Sequence, residues 1–336
     1  MEVGSLRALP DGRWLLRRFG RRYVLPSELG RRVDAGEAPE LDALFSMCAD
    51  RTQRRSFGPR WKRTVLPGKI VVAAADRVQA AASWPALLAL TTAGGLAIAL
   101  LQANVRDGVV HPVVVGLLVA FCALAHEFGH ATALIRGGGQ PGDIGVGVMF
   151  VVPVLWCDVS EAALLVRRDR VRVDLAGVAW QIGAAGAAGA IVSVWNGPSA
   201  VLAVKAVLAA VAWSLLPLLR TDGAWVLADL VGLRDLEAPL PRDAGRRRRR
   251  AAAGVRIVAA IVLTLVTAAL PWRLRGVAGL LWNGPPGVDA FATLALAAVA
   301  VVVSVALGRR VAGLLHLAAR DLGCSSLWPA RERPRP

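Results

Sequence analysis

Uncharged apolar runs of about twenty residues constrain this chain more than anything else in it. "SWPALLALTTAGGLAIALLQA" (83–103) has no charge and no polar face at the helical period. A soluble helix needs such a face, whereas a run of this length matches the hydrocarbon thickness of a bilayer. Comparable runs place spans at 82–103, 110–135, 173–195, 199–220, 257–272 and 289–308. The composition agrees, with 55% hydrophobic residues and a mean hydropathy of +0.51. The fold class expected is an all-α polytopic membrane protein of about six transmembrane helices. A short re-entrant or β segment and a small cytoplasmic α+β N-terminal region are expected beside them.

The net charge of +16 raises the question of nucleic acid. Its distribution answers differently. With these spans, nearly all of the 40 Lys and Arg fall on one side of the bilayer. Arg106, Arg273 and Arg275 fall on the other, and Lys205 lies within a span. That asymmetry is a positive-inside signal. It places both termini of a multi-pass protein in the cytoplasm, in a bacterial-type cytoplasmic (inner) membrane. The run Arg246 to Arg250 is then topology and anionic-lipid surface rather than a nucleic-acid site. Trp84, Trp195, Trp272 and Trp282 stand near span ends, as interfacial anchors do. The opening residues "MEVGSLRALPDGRW" have no apolar core of a secretory signal. Cys48, Cys122, Cys157 and Cys324 lack zinc-ribbon spacing, and no disulfide framework is expected.

The chain divides into a cytoplasmic N-terminal region (1–80), a membrane core (81–235), a further two-span segment with a basic linker (236–310) and a cytoplasmic tail (311–336). "DGRWLLRRFGRRYVLPSEL" alternates like strands and then starts a helix at "SEL". "APELDALFSMCADR" has the pattern of a short amphipathic helix, and "VAGLLHLAARDLG" that of an interfacial one. The run 144–157 is too short to cross as a helix, and its Val, Gly and Pro content suits an extended or re-entrant segment. "GAAGAAGA" (183–190) permits close helix approach, and "NGPS" turns the chain between two spans.

Against this background "FCALAHEFGHATAL" (121–134) is anomalous. It holds two of the chain's four His and a Glu within a span. His126 and His130, four residues apart, share one helix face and can offer two ring nitrogens to one Zn²⁺. Glu127, one residue on from His126, is turned about 100° from it and can act on a water at the metal without ligating it, the place of a general base. Ionisable groups inside a membrane are costly and mark function. A catalytic zinc takes a third protein ligand. Asp222, at the cytoplasmic end of a later span, matches the depth of the His pair. Asp143, Asp158, Glu161 and Cys122 compete for the place.

"AHEFGH" on a span, followed by "LLPLLRTDG" at the end of a later one, resembles the site-2 protease family of intramembrane zinc metalloproteases. That family carries HExxH and then Asn-x-x-Pro-x-x-x-Leu-Asp-Gly. Here Pro217, Asp222 and Gly223 match, while Ser214 replaces the Asn and Thr221 the Leu. "LAGVAWQ" (175–181) is similar to the family's Gly-Pro-x-x-Asn, with Val178 for Pro and Gln181 for Asn. The resemblance covers roughly 110–230. It implies His126, His130 and Asp222 as ligands of one Zn²⁺, Glu127 as catalytic base, and Ser214 and Gln181 as contacts to substrate or transition state.

"PVLWCDVSEAALLVRRDRVRVDLAG" (153–177) and "TDGAWVLADL" resemble the subgroup acting in bacterial maturation of ribosomally made, modified peptides. Residues 1–60 resemble the leader-recognition module of such pathways. The function implied is hydrolysis of a peptide bond near the cytoplasmic membrane face, with removal of a leader peptide. The substrate would be a peptide or a membrane-anchored protein, and peptide-modifying enzymes the partners. Regulated intramembrane proteolysis of a membrane-anchored signalling protein is the alternative. A transporter would need polar groups along several spans, and a non-catalytic peptide-presenting scaffold would not need Glu127.

Overall fold

The structure, a computed structural model, describes residues 6–8, 14–18, 21–35, 61–104, 108–149, 152–216, 221–233, 236, 240, 244–281 and 288–323. They are mostly helical, and the chain forms two compact units, 1–211 and 212–336.

In the first unit, β1 (Leu6–Ala8), β2 (Trp14–Arg18) and β3 (Arg21–Leu25) form an antiparallel sheet in chain order. Helix α1 (Ser27–Asp34) packs on it over the buried Leu16 and Leu25. Gly30 allows the approach, since a Cβ there would lie 2.0 Å from the Trp14 ring. The strand alternation and the helix start at Ser27 are as the sequence indicates. The amphipathic helix expected at 38–51 lies outside the described residues.

Residues 61–78 depart from the expected region 1–80. Strand β4 (Trp61–Leu66) and helix α2 (Gly68–Val78) join the chain beyond. β4 pairs antiparallel with β5 (Ile144–Met149), which pairs with β6 (Val152–Cys157). The expected extended segment is thus the hairpin of a three-stranded sheet, ordered β4-β5-β6. Asp143 ties the pieces together. One carboxylate oxygen accepts from the Gly68 N–H at 2.7 Å and the other from the Thr64 hydroxyl at 3.0 Å. Gly145 lets β4 lie close, because a Cβ there would meet the Arg63 carbonyl at 2.3 Å.

Among the described residues, three helices are long and apolar enough to cross a membrane: α3 (Trp84–Ala103), α4 (Pro112–Arg136) and α5 (Arg167–Leu215). Helix α5 holds two of the expected spans, because it reverses at Asn196 (φ −149°, ψ 79°). Gly189 faces Val204, whose Cγ2 would lie 2.9 Å from an added Cβ. A straight helix would separate these residues by about 22 Å. The Asn196 side chain accepts from the Ser199 N–H at 3.0 Å, so "NGPS" is the expected turn. The small residues act as the sequence suggests. Gly94 of α3 and Gly186 of α5 lie so close that a Cβ on either would strike the other helix's backbone.

On α4, Val113, Leu117 and Phe121 are 72%, 68% and 54% exposed at four-residue intervals. Leu118 and Cys122 on another face are buried. An apolar stripe of that kind suits hydrocarbon, not water. The helix stops at a glycine motif. The Gly139 N–H bonds the Leu134 carbonyl and the Gly138 N–H the Ile135 carbonyl, with Gly138 at φ 83°. This is the Schellman pattern, in which a left-handed residue closes the last turn.

The second unit contains α6 (Asp222–Leu230), α7 (Arg246–Leu281) and α8 (Val288–Asp321). The spans expected at 257–272 and 289–308 fall within α7 and α8. The tail segment expected as a separate interfacial helix continues α8 without a break as far as Asp321. Arg256 of α7, fully buried, pairs with Asp321 and donates to the Leu236 carbonyl at 2.8 Å.

Candidate metal centre

The inward face of α4 runs Leu118, Cys122, His126, His130, each four residues from the last, so one stripe turns from apolar to imidazole along the helix. His130 is buried and His126 half-buried. His130 Nδ1 lies 2.7 Å from the Val173 carbonyl of α5. A carbonyl only accepts, so Nδ1 carries the hydrogen and Nε2 the lone pair. His126 Nδ1 lies 3.0 Å from Gln181 Oε1, which assigns the same tautomer. The two Nε2 atoms then face each other at 3.1 Å, the rings nearly perpendicular at 85°.

Two lone pairs at that distance repel unless a proton or cation lies between them. Two Zn–N bonds at a tetrahedral angle would separate the nitrogens by about 3.3 Å. The pair therefore fits a metal. Its outer partners do what such partners do, fixing tautomer and ring orientation.

The space for the rings is made by glycine. A Cβ on Gly177 of α5 would lie 2.5 Å from His130 Nε2 and 3.0 Å from His126 Cε1. A Cβ on Gly129 of α4 would lie 2.6 Å from the Ala176 carbonyl and 2.9 Å from the Trp180 Cβ. The two helices thus touch backbone to backbone at the His pair, and Phe128 and Trp180 pack edge to face beside it, 5.6 Å between centroids.

Glu127 is half-buried beside the end of β6. Its negative charge is felt by Cys157, the last residue of that strand. Burial pushes the Cys157 thiol well up from the ordinary range, and the carboxylates of Glu127, Asp158 and Asp143 raise it further. The sheet therefore reaches the candidate base.

Asp222 opens α6 in the second unit, and Ser214 stands near the end of α5 in the same unit. Two imidazoles and a carboxylate are a donor set able to hold a metal ion; His126 and His130 are imidazoles of the first unit, and Asp222 is a carboxylate of the second. The competing candidates have structural places. Asp143 binds Thr64 and Gly68, and Asp158 accepts from the Ser160 N–H. Glu161 accepts from the Gln140 N–H at 2.8 Å, and Cys122 is packed in an apolar cluster.

Sequence reasoning singled out Gln181 but for a different task. The structure places it on a histidine. It missed the Val173 carbonyl altogether, because a backbone acceptor has no residue signature. Gly177 and Gly129 had a signal, as glycines inside apolar helices mark close approach. Comparison of the chain with protein-family models, curated proteins and solved structures finds no match.

Proposed function

We propose that this chain is an intramembrane zinc metallopeptidase that hydrolyses a peptide bond near the cytoplasmic membrane face. Its task is the maturation of a ribosomally synthesised, modified peptide by leader removal. The observation that carries the reading is the His pair, with both Nδ1 atoms occupied and both Nε2 atoms turned to one point. In this reading Asp222 joins the pair as third ligand of a single zinc ion.

Zinc, when bound, supplies a Lewis acid beside the scissile carbonyl and favours ionisation of water near neutral pH. The rest falls to the chain. Glu127 accepts the proton of the attacking water as its oxygen bonds the carbonyl carbon. It then returns the proton to the amine nitrogen as the C–N bond breaks. Val173 and Gln181 hold both imidazoles in the ligating tautomer. Strand β6 is an edge of its sheet among the described residues and ends beside Glu127. An extended peptide added along that edge is held by main-chain hydrogen bonds, with little reading of sequence. A helical substrate must first unwind, since a helix engages its own carbonyls.

Elemental analysis of the purified full chain tests the metal, and cleavage of a co-expressed precursor peptide tests the reaction. One zinc per chain and cleavage abolished by a chelator and restored by zinc are expected. Cleavage indifferent to the chelator sinks the proposal.

A further inference from the structure

Helices α3 and α5 meet at glycines. A Cβ on Gly94 would lie 2.5 Å from the Ile182 carbonyl oxygen, and one on Gly186 would lie 2.6 Å from the Gly94 carbonyl oxygen. Toward the turn of α5 at Asn196, a groove of about 840 Å³ opens between α3 and the two arms of α5. Ala97 of α3 and Ala190 of α5 keep its walls low, and the buried Leu101 and Val201 also line it. The peptidase chemistry does not use this space. Ala190 stands about 14 Å along the helix from Gln181, in the direction away from the cytoplasm in the topology that the basic residues indicate.

Three observations define the occupant. The groove is continuous with the apolar surface of helices long enough to cross a bilayer, since Leu100 and Val194 line it and are also largely exposed. Such a surface meets hydrocarbon, and an apolar trench in it is filled by whatever packs closely there. The groove also has polar groups, Asn104 and Ser193. The Ser193 hydroxyl donates to the Ala190 carbonyl and Asn104 Nδ2 to the Leu100 carbonyl, both at 2.7 Å. That leaves two side-chain oxygens and a second amide hydrogen of Asn104 for a ligand with a polar, ester-like end. Lys205 adds a charge. It is exposed on the second arm, turned about 40° from Val201 by the helical period and about 12 Å along the helix from Gly197. Among the described residues it has no ion-pair partner, and a lysine at that depth stretches its methylenes toward the interface, where phosphate lies. We infer that the groove is a binding site for one glycerophospholipid of the leaflet away from the cytoplasm. An acyl chain lies between α3 and α5, the ester region meets Asn104 and Ser193, and Lys205 answers the phosphate. The inference rests on the crossing of the bilayer by α3 and α5 and is independent of the zinc reading.

Native mass spectrometry of the full chain, released from phosphatidylcholine nanodiscs, tests it. One phosphatidylcholine per chain should remain bound through delipidation, with or without zinc. Ala97→Phe and Ala190→Phe fill the groove from different helices, and each should lower that one-to-one adduct roughly tenfold or more. Val113→Phe places the same ring on the exposed face of α4 and should leave the adduct intact. Lys205→Met keeps the stem, removes the charge and should weaken retention several-fold. An equal loss in the Val113 variant would show a diffuse lipid annulus and overturn the site. Full retention by both groove-filled variants would overturn it too, as would a parent chain that keeps no lipid or keeps a polypeptide in its place. Retention unchanged in Lys205→Met would overturn the phosphate contact. Unchanged helical circular dichroism separates these effects from misfolding, and zinc content and cleavage, read on the same samples, report on the peptidase proposal separately.

Discussion

At the scale of residues, two hydrogen bonds turn a His–x–x–x–His spacing into a pair able to hold a metal ion. The spacing itself was legible, because the helical period alone puts His126 and His130 on one face. The bonds were not. Gln181 and Val173 lie on another helix, and nothing local in "LAGVAWQ" says which side chain meets which ring. Replacing Gln181 by Leu removes the acceptor from His126 Nδ1 and frees the ring to rotate. Zinc affinity, measured by competition with a chromophoric chelator, should fall about 10- to 100-fold. Gln181→Glu keeps an acceptor at the same reach and should retain most of the affinity. Gly177→Ala is a harsher change, since the new methyl would occupy the space of His130 Nε2. That variant should keep its helical circular dichroism and lose its zinc.

At the scale of elements, the helices were legible where apolar runs are unbroken, as in α3, α4 and the two arms of α5. The sheet was half legible. The hairpin β5–β6 declared itself by a short Val-rich run that cannot cross a membrane as a helix. Its third strand did not, because β4 has exposed side chains along nearly all its length and pairs with chain roughly 80 residues away. Long-range pairing of a strand with no buried face leaves no local pattern to read. Asp143 is the joint, and Asp143→Ala removes two bonds at once. Hydrogen exchange across 61–70 should accelerate, with a loss of about 1–2 kcal/mol of local stability. The same sheet brings Cys157 to Glu127. A thiol reacts as its thiolate, so one held protonated by burial and by neighbouring carboxylates reacts slowly. Alkylation of Cys157 should remain slow at about pH 8.5, where an ordinary exposed cysteine is half ionised. Its rate should climb only at higher pH.

At the scale of the whole molecule, the chain forms two compact units, and the membrane core expected at 81–235 falls partly in each. The boundary after residue 211 falls inside a continuous helix, where composition does not change, and so no linker signal marks it. The second unit has its own internal anchor. Arg256, with no exposed surface, pairs with Asp321. Asp321→Ala takes this carboxylate from beside a buried guanidinium. Its thermal melt should report a loss of about 3–5 kcal/mol.

The central claim is that Glu127 performs proton transfer at a zinc held by His126, His130 and Asp222. Its most direct test is the cleavage rate of the Glu127→Gln protein on a precursor peptide in reconstituted bilayers, with zinc content measured on the same sample. The account predicts one zinc per chain, as in the unaltered protein, and a rate lower by about 100- to 10,000-fold. A zinc-loaded Glu127→Gln protein that cleaves at the unaltered rate would contradict it.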